Sequence, residues 1–292
     1  MVDLFKESGI IAAEQADSRY EMTHDLLLIL AAVLYMVSAG LLYHAIGKRS
    51  DSLQNTALWI ATAGMAFHAV AQFTHWFGVA EPDVSMAPLL SLCGLVIIVL
   101  LILPAMAQRR LLAAGLVALP IASAVCVLEL VMPHQPFTLS DPSSGVMVHL
   151  VSSILAFGLL SIAGVYAFFV FLIDHFLRHH HLNPIVRSLP PLEVLEKLLF
   201  NVIAAGFLML TVSLLSGTIF IDDIFAQHLV HKTILSILTW LVFGVLLFGR
   251  WRYGWRGSLA VRMTLAGVAL LVLSYFGTKL VLEVILGRSW QS

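Results

Sequence analysis

The chain has 292 residues, of which 60% are hydrophobic and only 11% are charged, and its formal net charge is −1. Soluble domains average about 25% charged residues, so this chain has too few charges to cover a surface in water. The composition excludes an ordinary soluble enzyme, a disordered protein and a nucleic-acid binder, because there is no basic excess to neutralise phosphates. The two cysteines, Cys93 and Cys126, form no C-x-x-C motif, which argues against a dithiol redox site.

Long apolar runs predict an all-α integral membrane protein with about eight transmembrane helices. A helix needs about 20 apolar residues to cross about 30 Å of hydrocarbon, and in lipid the backbone must hydrogen-bond to itself. The predicted spans are 26–47, 57–77, 87–107, 111–132, 146–173, 199–221, 233–249 and 259–286. The loops are short, so we expect one bundle with three regions: a polar N-terminal segment (1–25), a first set of four helices (26–132) and a second set of four (146–287). The first span follows a polar stretch, so it is not interpreted as a signal peptide.

The distribution of Lys and Arg predicts the orientation of the bundle. If the N-terminus lies outside, the inner side holds 11 of the 16 basic residues, as the positive-inside rule requires. Acidic residues show the opposite bias, with only four of 17 on the inner side. We therefore expect both termini on the outer, periplasmic side.

The second predicted span carries a polar stripe. At 3.6 residues per turn, Gly64, His68, Gln72 and His75 share one helix face, which should point into the bundle. Ionisable residues inside a membrane are candidates for function, so His68 could be a cofactor ligand or support one. An interhelical hydrogen bond is the structural alternative.

His149 opens the fifth predicted span at the outer surface, with Ser152 and Ser153 on its helix face. A histidine at a helix entry is held in position and remains near water. This suits an axial haem ligand, which must be a neutral imidazole in a defined orientation. A plain interfacial histidine is the alternative.

A short outer loop before the seventh span concentrates polar residues. Asp222, Asp223, His228, His231 and Lys232 could supply a histidine ligand and a cation for the propionates of a haem. The same acidic and histidine residues could bind a divalent metal ion instead, as a metal-ion transporter would require. A solvated loop is the third interpretation.

Two other polar groups have structural interpretations. Lys279 and Glu283 lie one turn apart in the last span and are expected to form an ion pair. His175 and the tract 179–181 follow Asp174 on the inner side and indicate a solvated helix end.

Two further segments also fit structural roles. The inner loop 250–257 is rich in Arg and Trp, which fits the positive-inside rule and an aromatic belt. Gly206, Ser213 and Gly217 on the sixth span are small enough to allow neighbouring helices to approach closely.

The stretch from His149 to Trp290 resembles the membrane cytochrome c assembly family, the haem-handling proteins of the CcsA, ResC and CcmC kind. The likeness is greatest to its YpjD-type bacterial inner-membrane branch, from about residue 26 onward. The matching pieces are Phe67-His68-Ala69 with Trp76, Met147-Val148-His149, Leu214-Leu215-Ser216-Gly217, Lys232, Thr239-Trp240-Leu241-Val242-Phe243, Gly254-Trp255-Arg256-Gly257 and Tyr275-Phe276-Gly277.

The resemblance implies a haem site at the outer face. In that family two histidines flank a tryptophan-rich segment, and the first of them matches His149. The segment before Lys232, residues 225–231, contains no Trp here, and Leu286 stands where the second outer histidine is expected. The family's histidine near the inner end of the seventh span falls at Phe248. The second axial ligand is therefore open among His68, His75, His228 and His231.

Three hypotheses follow for this chain. The first is a multi-pass bacterial inner-membrane protein that binds or passes haem in cytochrome c biogenesis, with His149 as an axial ligand and Lys232 or Lys279 near the propionates. The second is a cofactor-free membrane partner that keeps the fold without haem. The third is a metal-ion transporter. None of the three assigns covalent catalysis to this chain.

Overall fold

The structure is a computed structural model that describes residues 2–48, 50–77, 85–132, 143–178, 191–220 and 230–277. Side chains are described from residue 21 onward, except those at 110, 177, 178, 230, 231 and 276. Within these ranges all of the regular secondary structure is helical. The helices are α1 (Val2–Lys48), α2 (Asp51–Phe77), α3 (Met86–Ala107), α4 (Gly115–Val131), α5 (Ser144–Arg178), α6 (Leu192–Phe220), α7 (Val230–Tyr253) and α8 (Ser258–Val272).

Seven helical segments within the described ranges are long and apolar enough to cross a membrane. They lie on α1 and on α3 to α8, and each matches one of the predicted spans. Helix α2, with 27 residues, is long enough to span but falls outside this group. It begins with the polar stretch 51–56 and carries His68, Gln72 and His75 further on, which lowers its apolarity.

Several helix ends differ from the predicted bounds. The polar N-terminal segment is continuous with the first span, since α1 begins at Val2. Helix α7, Val230–Tyr253, is longer at both ends than the predicted seventh span, 233–249. Helix α6 begins at Leu192, before the start of the predicted sixth span, 199–221. A 3-10 segment, Arg109–Ala114, precedes α4, and a π-helical turn, Leu273–Gly277, follows α8.

Neighbouring helices in the sequence run antiparallel. Helices α1 to α4 pack on one another, as do α5 to α8, and α3 also packs on α5. One end of the bundle, where α5 begins and α6 ends, contains His149, and we call it the His149 end. The other end, where α5 ends and α8 begins, contains Arg262, and we call it the Arg262 end.

Small residues bring the helices of the second half close together, as expected. A Cβ added at Gly206 of α6 would lie 2.8 Å from the Cγ and Cδ2 atoms of Leu160 on α5. Leu160 is fully buried, so it has little room to move. The same two helices are in close contact again at the first turns of α5, where a Cβ on Gly217 would lie 3.0 Å from the His149 ring.

Candidate functional site

The His149 imidazole is held between α5 and α6. Its Nδ1 atom lies 2.8 Å from the carbonyl oxygen of Ser213. A carbonyl can only accept a hydrogen bond, so Nδ1 carries the proton and donates it. In the neutral imidazole, the Nε2 atom then carries the lone pair that can bind a metal.

Two neighbours fix this ring further. A Cβ on Gly217 would lie 3.0 Å from the Nδ1 and Cε1 atoms of His149, so any larger residue at this position would displace the ring. Ser153 and Ser213 are hydrogen-bonded through their hydroxyls at 2.6 Å, which ties the two helices together one turn away. Ser152 bonds back to its own helix, to the carbonyl of Val148 at 2.6 Å. The position and the tautomer of His149 are therefore set by the α5–α6 contact.

This arrangement fits a haem-ligating histidine. Histidines that bind metals commonly donate their other ring N–H to a carbonyl or a carboxylate, which fixes the ring and raises its basicity. The side chain is only partly buried, so part of its surface remains accessible. The donor set therefore meets the chemical requirement for one axial ligand.

The start of α7 lies at the same end of the bundle. Lys232 is half-buried, and its carbonyl oxygen accepts a hydrogen bond of 3.0 Å from Ser274 of the π-helical turn. The backbone of His231 is in the first turn of α7, but its side chain lies outside the described residues. Asp222, Asp223 and His228 also lie outside them. The predicted grouping of His149 with His228 and His231 thus stays a prediction.

His68 lies at the centre of a hydrogen-bonded cluster in the first four helices. It is fully buried on α2, and it faces the interior as predicted, together with Gln72. Its Nδ1 atom is 3.3 Å from the hydroxyl of Tyr35, and its Nε2 atom is 2.9 Å from the hydroxyl of Ser91. The Cys126 sulfur lies 3.7 Å from Nδ1. Both ring nitrogens have protein partners, so His68 could ligate a metal only by losing one of them.

Glu129, for which the sequence pattern predicted no role, extends this cluster toward the His149 end. Its carboxylate accepts a hydrogen bond of 3.1 Å from the Gln72 amide and lies 3.3 Å from the Nε2 atom of His24. Gln72 also donates to Ser91, at 3.1 Å. The signal was present in the sequence, because Glu129 is the one acidic residue in the span Leu111–Val131. Because Glu129 lies near the end of this span, the sequence did not indicate that its side chain is buried. Only 2% of its surface is exposed.

The described contacts do not join the two clusters. His149 contacts α6, whereas His68 contacts α1, α3 and α4. His75, the other candidate on α2, is half-buried beside His24, with ring centroids 5.6 Å apart. In the described part of the chain, no group of three or more His, Cys, Asp or Glu side chains is placed to hold a metal ion.

The remaining sequence-based interpretations fall at the edges of the described structure. His175 is exposed near the end of α5, and its ring stacks on Phe171. The tract 179–181 and the residues Lys279, Glu283 and Leu286 lie outside the described residues. Phe248, which takes the place of a family histidine, is exposed on α7.

Comparisons with known proteins agree with the architecture. The family model described as "Cytochrome C assembly protein" matches residues 26–286. The inner membrane protein YpjD of Escherichia coli K12 is 29% identical over 263 residues, which cover 88% of this chain and 98% of YpjD. The cytochrome c biogenesis protein CcsA of Prochlorococcus marinus NATL1A is 30% identical over 105 residues, covering 34% of this chain and 33% of CcsA. An uncharacterised 28.8 kDa protein of Azospirillum brasilense is 31% identical over half of this chain. No solved structure matches.

The match to the family model spans nearly all of the helical region, and the YpjD relative aligns over almost its whole length. Seven helices in the described ranges are long and apolar enough to cross a membrane, which agrees with both. The chain is a multi-pass inner-membrane protein, and it belongs to the cytochrome c assembly protein family.

Proposed function

We propose that this protein binds haem at the His149 end and handles it in cytochrome c biogenesis. One observation carries the proposal: the 2.8 Å hydrogen bond from the His149 Nδ1 atom to the Ser213 carbonyl, which leaves Nε2 as the ligating atom. Membership of the cytochrome c assembly family supports it. The similarity to CcsA, whose name states a role in cytochrome c biogenesis, supports the process.

The proposal includes an arrangement in the membrane. All eight helices cross the bilayer, α2 included, and both termini lie on the outer side with the His149 end. The burial of the polar face of α2 against α1, α3 and α4 supports its place as a span, since its polar groups have protein partners and not lipid. The regions 26–132 and 146–287 are then two four-helix units, and the second carries the haem ligand.

Within this site each residue has a distinct task. His149 would supply one ligand to the haem iron, and Ser213 and Gly217 position its ring. His228 or His231 would supply the second ligand, and Lys232 would provide a cation for the propionates. Haem is the cargo that these residues would hold. We assign His68 to the buried cluster because both of its nitrogens are engaged.

An absorbance spectrum tests the proposal directly. The protein is expressed with haem available, purified in detergent and examined for a Soret band. We expect the band in the unaltered protein, a strong reduction in His149→Ala, and partial recovery of that variant with added imidazole. His44→Ala is the matched control, because His44 is an exposed histidine on α1. A missing Soret band, or one equally strong in His149→Ala, contradicts the proposal.

A second candidate is a membrane partner that retains the fold without haem. The tryptophan-free segment 225–231 and Leu286 favour it. This function predicts a membrane protein that co-purifies with the chain equally well after His149→Ala. A partner that is lost together with the Soret band would contradict it.

A further inference from the structure

The π-helical turn Leu273–Gly277 follows α8 at the His149 end of the bundle. Turns of this kind are rare and are frequently found at functional sites. Two neighbouring residues of the turn, Ser274 and Tyr275, make hydrogen bonds to different helices. Ser274 bonds α7, and Tyr275 bonds α5. The turn therefore links two helices that carry separate parts of the proposed haem site.

Ser274 bonds the turn to the start of α7. Its hydroxyl donates a hydrogen bond of 3.0 Å to the carbonyl oxygen of Lys232. A second contact, of 2.8 Å, joins the hydroxyls of Ser274 and Ser236. A serine has one hydroxyl proton and a carbonyl can only accept, so Ser236 is the donor in this second bond. Ser274 is 2% exposed, so water does not compete for either bond.

Tyr275 bonds the same turn to α5. Its hydroxyl is hydrogen-bonded to Ser153, and its ring centroid lies 5.1 Å from that of Phe157. Ser153 bonds the Ser213 hydroxyl at 2.6 Å, and the Ser213 carbonyl accepts the hydrogen bond from His149. A continuous series of contacts therefore connects the turn to the two helices that hold the His149 ring.

The start of α7 depends on this turn for its position relative to α5. In the described ranges, α5 and α7 make few contacts with one another. Helix α6 bonds α7 through Trp240 and Thr211, but Trp240 lies about 12 Å further along α7 than Lys232 at 1.5 Å per residue. His231, a candidate second ligand, directly precedes Lys232. The bond from Ser274 is therefore made at the residue next to that candidate.

We propose that Ser274 and Tyr275 are positioning residues for the haem site, which fix the first turn of α7 relative to the helices that hold His149. Bonds between a metal and its ligands are kept only within about 0.2 Å of their usual length, so a loosely held α7 would not keep a ligand on the iron. The role in haem ligation rests on the proposed function, whereas the link between α5 and α7 does not.

Spin-label distances test this link in the full chain without haem. Labels are attached to cysteines introduced as Val148→Cys on α5 and Ile234→Cys in the first turns of α7, since both positions are exposed. The native Cys93 and Cys126 are buried, so they stay unlabelled in the folded protein. Double electron–electron resonance in detergent should give one narrow distribution of label distances.

Three variants are compared in this labelled background. Ser274→Ala removes the bond to the Lys232 carbonyl, and Tyr275→Phe removes the hydroxyl and keeps the ring; each should broaden the distance distribution. Ser236→Ala is the matched control, because it removes the neighbouring bond and leaves Ser274 bonded to Lys232. It should keep the narrow distribution. Size-exclusion chromatography first checks that each variant gives a single monodisperse peak.

The spin state of bound haem tests the consequence for the second ligand. Haem with two axial histidines is low-spin, and loss of one of them gives high-spin iron. Ser274→Ala should shift the absorbance spectrum from low-spin to high-spin while retaining the Soret band, because His149 is unchanged. Added imidazole should restore the low-spin spectrum. Ser236→Ala should remain low-spin throughout.

Several results would overturn the positioning role. These are an unchanged distance distribution in Ser274→Ala or in Tyr275→Phe, and equal broadening in Ser236→Ala. A low-spin spectrum that persists in Ser274→Ala would show that the turn does not position the second ligand. A missing Soret band in the unaltered protein would contradict the proposed function instead, and the label distances would still decide whether the turn positions α7.

Discussion

The packing of His149 against Gly217 leads to a prediction about Gly217→Ala. The new Cβ would lie 3.0 Å from the Nδ1 and Cε1 atoms of His149, which is closer than ordinary van der Waals contact. The ring must move by a few tenths of an ångström. That movement lengthens the 2.8 Å hydrogen bond to the Ser213 carbonyl, because the same Nδ1 atom makes both contacts.

Two effects of similar size oppose each other in this variant. Replacing Gly with Ala in a helix interior stabilises it by about 1 kcal/mol. Weakening a neutral hydrogen bond costs about 0.5–1.5 kcal/mol, and interhelical bonds in membranes average about 0.6 kcal/mol. We therefore expect the stability of Gly217→Ala to change little. Gly40→Ala, on exposed α1 surface with nothing within 4 Å of the new Cβ, should gain the full helix term.

The two variants are compared by thermal unfolding in detergent with a thiol-reactive fluorogenic probe. Cys93 and Cys126 are both free and buried, so they react only when the bundle opens. We expect Gly40→Ala to unfold a few degrees above Gly217→Ala. If haem binds, Gly217→Ala should also reduce its occupancy, because the ligating ring is displaced. Equal stabilisation by the two substitutions would refute the reasoning about the His149 contact.

Three further predictions concern packing, the buried cluster and topology. Gly206→Ala should destabilise the bundle by about 1–3 kcal/mol in the same thermal assay, since its Cβ would overlap the buried Leu160. A gain in stability like that of Gly40→Ala would contradict this packing. Glu129→Ala should lower the stability by about 1–3 kcal/mol, because it leaves the buried Gln72 amide without its carboxylate acceptor. Glu129→Gln retains an acceptor oxygen and should lower the stability less. Equal losses of stability in the two variants would argue against this hydrogen bond. Alkaline phosphatase fused after residue 292 should be active and green fluorescent protein fused there should be dark, whereas the reverse result would place the C-terminus inside.

The helical periodicity of the sequence predicted part of the buried cluster. A period of 3.6 residues placed His68 and Gln72 on one face of α2, and both are buried. The role of Glu129 could not be predicted in this way, because its partners Gln72 and His24 lie 57 and 105 residues away. Sequence periodicity shows which residues share a helix face and does not show which helix lies opposite that face.

The site at His149 shows the same limit. The histidine side chain of residue 149 and its position at the start of a helix indicated an axial ligand. The small residues on the sixth span indicated that this span packs closely against a neighbour. The Ser213 carbonyl as hydrogen-bond acceptor follows from the register between α5 and α6, which the small residues permit but do not specify. The tautomer of the imidazole is therefore a property of the packed pair of helices.

The amino-acid sequence alone was enough to predict a bundle of membrane helices and to identify most of the candidate functional residues. It could do so because hydrocarbon requires long apolar helices and makes every polar side chain within them costly. The packing of the helices determines how those polar side chains are used. His68 is hydrogen-bonded at both ring nitrogens, His149 is hydrogen-bonded at one, and Asp174 and Arg262 line one cleft. These roles depend on contacts between helices that are distant in the sequence, and packing geometry sets those contacts.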